Sequence, residues 1–177
     1  MSTDAIQGIP RVDLEARPLW KRNLNHWTGG WLLTTDAGKA LWRKAIAPIE
    51  APLMKATRGR IRISFSAPVA VLTSIGARTG ELRESTLTYF TDGDYVILIA
   101  SNYGSAHHPG WYHNLIAKPE CELHIGERGG RFIAREATGA DRDRLYSLAG
   151  RRLNRVFESY TARSGPRTIP VMRLSPA

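Results

Sequence analysis

Apolar and polar residues alternate with a period of two through much of the chain after residue 60. Ile61, Ile63 and Phe65 alternate with Arg62 and Ser64, which predicts a strand. Residues 69–75 form a continuous apolar run, residues 84–90 alternate again, and 95–100 (YVILIA) are apolar throughout, as in a central strand. Between the last two, Thr91-Asp92-Gly93-Asp94 predicts a hairpin turn, with Asp-Gly supplying positive φ. Cys121, Leu123 and Ile125 alternate with Glu122 and His124. Gly129-Gly130 then predicts a turn into a strand over 131–137. A last strand is predicted over 168–174, where Pro170 argues for an edge or a bulge.

Elsewhere the period changes to three and four. Leu41, Trp42, Ala45, Ile46, Ile49 and Leu53 make one apolar stripe over 35–55, with Pro48 and Pro52 expected to kink it or split it. Residues 110–117 (GWYHNLIA) predict a short helix stopped by Pro119. Thr138 and Asp141 resemble a capping box opening a helix that buries Leu145, Leu148, Leu153, Val156 and Phe157. Hairpin connections imply mostly antiparallel pairing, and a sheet of six or seven strands must close or cover its edges. The expectation is an α+β fold: one domain with a helical N-terminal extension (1–60) packed on a small barrel (61–177). Long crossover helices between strands are absent, which disfavours a Rossmann fold.

Charge narrows the partners. The 25 Lys and Arg exceed the 16 Asp and Glu by nine, so an anionic ligand or surface is favoured. Arginine supplies most of the excess, and its fork suits phosphate and carboxylate. A single cysteine, Cys121, excludes an internal disulfide and a zinc site of paired cysteines; it reads as a small buried strand residue. No apolar run reaches about 18 residues and no N-terminal apolar leader is present, so the expected location is the cytoplasm.

Three stretches carry candidate chemistry. In TSIGARTGELR (residues 73–83), Gly76 and Gly80 let the backbone turn tightly, while Arg78, Thr79 and Arg83 can donate to an anion. The same residues also fit an exposed hairpin with solvated arginines. The second stretch, residues 100–115, leaves the central strand through small polar residues and re-enters structure at Trp111 and Tyr112. Its His107, His108 and His113 lack an interleaved carboxylate, so no metal site is expected. The third places Trp20, Trp27, Trp31 and Trp42 among Lys21, Arg22, Lys39, Arg43 and Lys44. It fits core and dimer packing, or a peripheral contact with the inner face of an anionic membrane. Ser74, Ser85 and Ser101 lack a nucleophile elbow and no catalytic carboxylate pair is evident, so any enzymatic reactivity is expected from a bound organic cofactor.

In order along the chain, G76-A-R-T-G-E-L-R83, Asp92-Gly93, Ala100-Ser101, P109-G-W-Y-H-N-L115 and Arg167 to Val171 (RTIPV) resemble the motifs of the deazaflavin-dependent nitroreductase family of actinobacteria. The resemblance covers about residues 69–175. It implies a split β-barrel and an F420-dependent oxidoreductase that passes a hydride from reduced deazaflavin to an electron-poor acceptor: a nitro compound, an enone or a quinone. It further implies that Ala77, Arg78, Thr79, Gly80 and Arg83 hold the phosphate of coenzyme F420. Ser85, Thr86, Leu87, Thr88, Ile99, Ala100, Ser101 and Asn102 would line its ring, and Gly110, Trp111, Tyr112 and Asn114 would close over it. Phe157 and Tyr160 would lie near the substrate, with Tyr160 and Ser101 as catalytic candidates. Ala77 and Arg78 stand where relatives often carry Arg and Lys, and Asn102 where relatives carry Lys. An FMN-binding split-barrel oxidoreductase and a non-enzymatic barrel that holds a cofactor or nucleic acid are the alternatives. Nucleic acid is disfavoured because no strand alternates aromatic and basic residues.

Overall fold

The computed structural model describes residues 4–16, 44, 45, 49 and 68–177. The helix expected over 35–55, the strand at 61–65 and the tryptophan-rich segment lie outside these residues, the isolated positions 44, 45 and 49 aside. The described chain opens with a tight hairpin of β1 (Ala5–Ile6) and β2 (Ile9–Pro10). The barrel strands are β3 (Val69–Ile75), β4 (Leu82–Asp92), β5 (Tyr95–Ile99), β6 (Glu120–Ile125), β7 (Arg128–Ala137) and β8 (Val171–Pro176). They close in the order β3-β4-β5-β8-β7-β6, and every neighbouring pair is antiparallel. This is the α+β barrel that the alternation predicts. No helix among the described residues is long and apolar enough to cross a membrane.

Period-two patterning produces the interior. Leu72, Leu98, Leu123, Phe132 and Leu174 come from five different strands and are all fully buried. Each contributes about 1.5–3 kcal/mol by leaving water. Cys121 is buried among them, and burial pushes its thiol up to about 12, which leaves it unreactive.

The hairpin of residues 4–16 fills one end of this core with Ile6 and Ile9, and Leu14 enters a second apolar cluster beneath the helices. Val12 N–H donates to Thr91 Oγ1 (2.9 Å) and Thr91 N–H to the Val12 carbonyl (3.0 Å). The Tyr89 hydroxyl donates to the Pro10 carbonyl (3.1 Å), and Arg11 pairs with Asp94 (2.6 Å). The Gln7-Gly8 turn sits against Gly129 and Gly130. Those glycines are not a turn, as expected from sequence, but lie within β7; the β6–β7 reversal occurs at Gly126-Glu127. A side chain at either glycine would occupy space already filled by His124, Leu123 or Gln7.

Among the described residues, three α-helices pack outside the barrel. Helix α1 (Gly110–Ala117) has the bounds that the pattern predicts. The expected long helix is two: α2 (Gly139–Leu148) runs through a wide turn at Ala149–Leu153, and α3 (Val156–Arg163) restarts after Asn154. Asn154 is extended and its Oδ1 accepts from Val156 N–H (3.0 Å), which supports a fresh start. The buried side is as predicted, with Leu145, Leu148, Leu153, Val156 and Phe157 all enclosed.

Two local expectations need correction. Thr138 makes no side-chain cap; Asp141 instead accepts from Arg144 (3.0 Å) and Arg173 (2.7 Å). Arg144 also grips Asp92 through two bonds (3.0 and 2.7 Å), which hold that carboxyl below its ordinary range and tie α2 to the β4–β5 turn. Pro170 precedes β8 rather than interrupting it, and β8 is a central strand flanked by β5 and β7.

Candidate functional site

The β3–β4 connection closes on itself through backbone bonds. Gly76 N–H donates to the Glu81 carbonyl (2.8 Å) and Gly80 N–H to the Gly76 carbonyl (2.9 Å). A Cβ at Gly76 would stand 2.8 Å from Thr79 Oγ1 and 3.2 Å from the Glu81 carbonyl, so a larger residue would turn the Thr79 hydroxyl aside and loosen this closure. Helix α1 pins the loop from outside. Asn114 Oδ1 accepts from Ala77 N–H (3.0 Å), and its Nδ2 donates to the Oγ of buried Ser74 (3.2 Å).

The remaining donors face outward. Ala77, Arg78, Thr79 and Gly80 are exposed. Among the described residues, the N–H groups of Arg78 and Thr79 meet no acceptor and the Arg78 guanidinium meets no carboxylate. Two unengaged N–H groups beside a guanidinium make an anion-binding donor set. Arg83 differs, because it is paired with Glu81 (2.6 Å) at the surface. The donor chemistry thus fits a phosphate at Arg78 and Thr79, and Arg83 fits it only after leaving Glu81.

Beside this loop the barrel is split. Strand β5 pairs with β4 only over residues 89–92 and then follows β8, where Ala100 N–H donates to the Pro170 carbonyl (2.9 Å). Residues 82–88 of β4 therefore have β3 on one side and no strand on the other among the described residues. Ser85, Thr86, Leu87 and Thr88 are half-buried along that opening, as are Ile99, Ser101 and Asn102 where the chain diverges; Ala100 is buried. On α1, Gly110 is exposed, Trp111 is buried, and Tyr112 and Asn114 are half-buried.

After Ala100 the chain makes a turn of unusual hand. Asn102, Tyr103 and Gly104 have φ of 48°, 55° and 77°, three left-handed residues in succession. The two non-glycines each cost about 1–2 kcal/mol in this conformation. Asn102 Nδ2 donates to the His107 carbonyl (2.9 Å) across the turn. Helix α3 packs on the turn, with Tyr160 against Gly104. Tyr160 is 3% exposed and stacks edge-on with buried Phe157 (5.9 Å between centroids). Burial pushes its phenol strongly upward, so it stays protonated throughout the neutral range. The catalytic candidates Ser101 and Tyr160 thus flank one strained turn.

The sequence reading missed several residues here. Arg167 binds the 100–108 segment through its guanidinium. Glu136 of β7 accepts from the Tyr112 hydroxyl (2.8 Å), and burial together with that bond holds the Tyr112 phenol at about 12. His108, Tyr112 and His113 form a ring cluster with centroids 4.8–5.8 Å apart. The RTIPV stretch carried a signal for Arg167 but reads only as a strand.

The two Asn114 substitutions that follow separate geometry from charge. Asn114→Ala removes both bonds and strands the buried Ser74 hydroxyl, and should cost about 1–3 kcal/mol of stability. Asn114→Asp keeps an acceptor toward Ala77 N–H and can accept from Ser74, so it should lower the melting temperature less. Its added charge beside the loop should nonetheless weaken anion binding by about tenfold. Thermal melts paired with ligand titration check both outcomes.

Known proteins share this sequence pattern and fold. Residues 49–176 match the family model described as F420H(2)-dependent quinone reductase. An F420H(2)-dependent quinone reductase of Mycobacterium tuberculosis (strain H37Rv) is 35% identical over 127 residues, covering 70% of this chain and 85% of that protein. Among solved structures, an F420-H2 dependent reductase superposes with a TM-score of 0.52 at 27% identity, covering 61% of this chain and 94% of that one. Another, described as a domain-swapped dimer, gives a TM-score of 0.56 at 25% identity, covering 77% of this chain and 99% of that one. With more than two thirds of its length matched, the chain belongs to the F420H(2)-dependent quinone reductase family.

Proposed function

We propose that this protein is a coenzyme F420-dependent reductase whose acceptor is a quinone. The observation that carries the reading is the donor loop of Arg78 and Thr79, pinned by Asn114 beside the opening between β4 and residues 100–102. Coenzyme F420 carries a phosphate and a poly-glutamate tail, and its reduced deazaflavin supplies a hydride when bound. Arg78, Thr79, Gly80 and Arg83 would hold the phosphate. Ser85, Thr86, Leu87, Thr88 and residues 99–102 would line the ring, closed over by Gly110, Trp111, Tyr112 and Asn114. The Tyr112 and Tyr160 phenols keep their protons at neutral pH; Tyr160 can donate to an acceptor oxygen, whereas Tyr112 would have to leave Glu136 first. Tyr160, buried against the 102–104 turn, keeps water from that side of it. The family match favours a deazaflavin over FMN.

Mixing purified protein and reduced F420 with a water-soluble quinone tests the reading. Enzyme-dependent return of the oxidised deazaflavin absorbance is expected, faster with a quinone than with a nitroaromatic or an enone. Reoxidation at the uncatalysed rate for every acceptor refutes it. A homodimer is the assembly proposed, since a similar chain is described as a domain-swapped dimer; light scattering at the monomer mass would exclude it. Association of the tryptophan-rich segment with anionic membranes is a separate proposal, tested by co-sedimentation with anionic vesicles.

A further inference from the structure

We propose that Arg167 is a positioning residue of the reductase site, holding residues 100–108 through their backbone carbonyls, and that the neutral ring of His108 is the part of this hold that acid undoes. The inference rests on the function proposed above. Arg167 lies between α3 and β8 and is half-buried. Its Nε donates to the Ser105 carbonyl (3.0 Å), Nη1 to the Ala100 carbonyl (3.2 Å) and Nη2 to the Ser101 carbonyl (2.8 Å). Nη1 also meets His108 Nδ1 at 3.0 Å. The Arg167 backbone is anchored in turn, because buried Ser164 donates its hydroxyl to the Arg167 carbonyl (3.0 Å).

A guanidinium has donors only, so His108 Nδ1 must accept and its ring proton must sit on Nε2. What the fork holds is the segment that least favours its own conformation. Three successive left-handed residues, two of them not glycine, lie between the carbonyls it binds. Local bonds from Gly104 N–H to the Ser101 carbonyl and from Ser105 N–H to the Asn102 carbonyl span the same residues (both 3.0 Å). Lysine cannot replace the fork, since one ammonium cannot serve carbonyls on three sides of a planar group.

The charged and titratable groups facing His108 come from three elements. Arg167 lies on one side, Tyr112 and His113 of α1 on another, and Glu136 of β7 beyond them. Burial, then Arg167 and His113, lower the His108 pKa below its ordinary value, and Glu136 opposes them. The hold is therefore complete where His108 is neutral, and its His108 part is lost as pH falls through that lowered pKa, while the three carbonyl bonds remain. Protonated Nδ1 can no longer accept, and it places a second cation against the guanidinium.

The test begins on cofactor-free protein. Amide exchange at Gly104 and Ser105, corrected for its intrinsic pH dependence, should quicken by about tenfold or more in Arg167→Ala and Arg167→Lys. In the parent it should quicken as pH falls below about 6.5, the ordinary imidazole value, since the His108 pKa lies under it. His108→Asn, which places an untitratable oxygen near the position of Nδ1, should lose that pH response. NMR titration of the His108 ring should show its pKa rising in Arg167→Ala. With cofactor and quinone, Arg167→Ala should lower kcat/KM by about tenfold or more, and added guanidinium ion should restore part of it. Unchanged exchange in Arg167→Ala overturns the hold. Faster exchange with unchanged kcat/KM and cofactor affinity overturns its link to the site. A parent protein that never reoxidises reduced F420 overturns the functional reading and the role of Arg167 with it, and the exchange data separate that failure from failure of the hold.

Discussion

Replacing Arg78 and Arg83 together by alanine should weaken binding of oxidised coenzyme F420 by about 3–5 kcal/mol, or two to three orders of magnitude and more in dissociation constant. Each arginine can supply charge-assisted bonds to a phosphate, about twice as strong as neutral ones. The structure makes the two unequal. Arg78 has no carboxylate partner among the described residues, so its donors are available at once. Arg83 must first leave Glu81, and both members of that pair are more than half exposed, so the separation costs only about 0–1 kcal/mol. Arg78→Ala alone should therefore carry the larger share of the loss. Glu81→Gln should tighten binding by about two- to fivefold, because it frees Arg83 and removes a negative charge from beside the anion. Fluorescence titrations at low and high salt check all of these, and the double variant should show the weaker salt dependence. An unchanged dissociation constant in the double variant would contradict the phosphate assignment.

Gly129→Ala should be the most damaging single methyl that can be added to the described chain. The new Cβ would stand 2.1 Å from the Leu123 carbonyl oxygen and 2.9 Å from His124 Cα, both backbone atoms of the paired strand β6. Backbone within a closed barrel cannot rotate away as a side chain can. We expect a loss of about 3 kcal/mol or more, and a fall in melting temperature of about 10 °C. Gly130→Ala is the control. Its Cβ would meet the Gln7 side chain, whose amide oxygen (2.6 Å) can swing aside while its Cβ (3.0 Å) must give by a few tenths of an ångström, so the loss should be about 1–2 kcal/mol. Equal melting temperatures for the two variants would sink the steric argument.

The strands were legible because their apolar period is local. β3 begins and ends at the predicted residues, and β4, β5 and β6 extend or contract by only a few. What the pattern could not carry is non-local. The β1–β2 hairpin has strands of two residues, too short for any period, and its Gln7-Gly8 tip dictates glycines more than 120 positions away. Read locally, Gly129-Gly130 could only look like a turn. The break at Asn154 depends on one side chain accepting from the backbone two residues on, which the apolar stripe does not register. The site divides the same way. The donor loop announced itself because its glycines and arginines are adjacent. Arg167 did not, because its partners are carbonyls some 60 residues away and any residue type supplies a carbonyl.

The place of β8 bears on how the chain reaches its fold. β8 lies between β5 and β7 and contributes buried Val171, Met172 and Leu174. Until Val171–Pro176 has left the ribosome, β5 and β7 each present an open edge and no partial barrel is closed. Ring closure thus joins segments separated by some 75 residues, with β5 on one side of β8, and the early hairpin must find β4 across nearly 80 more. Such long-range pairing is slow, and the waiting edges are sticky. Nascent chains of this protein should therefore depend on holding factors until β8 arrives, and variants that weaken β8 should accumulate as aggregates in the cell before they show a lowered melting temperature in the test tube.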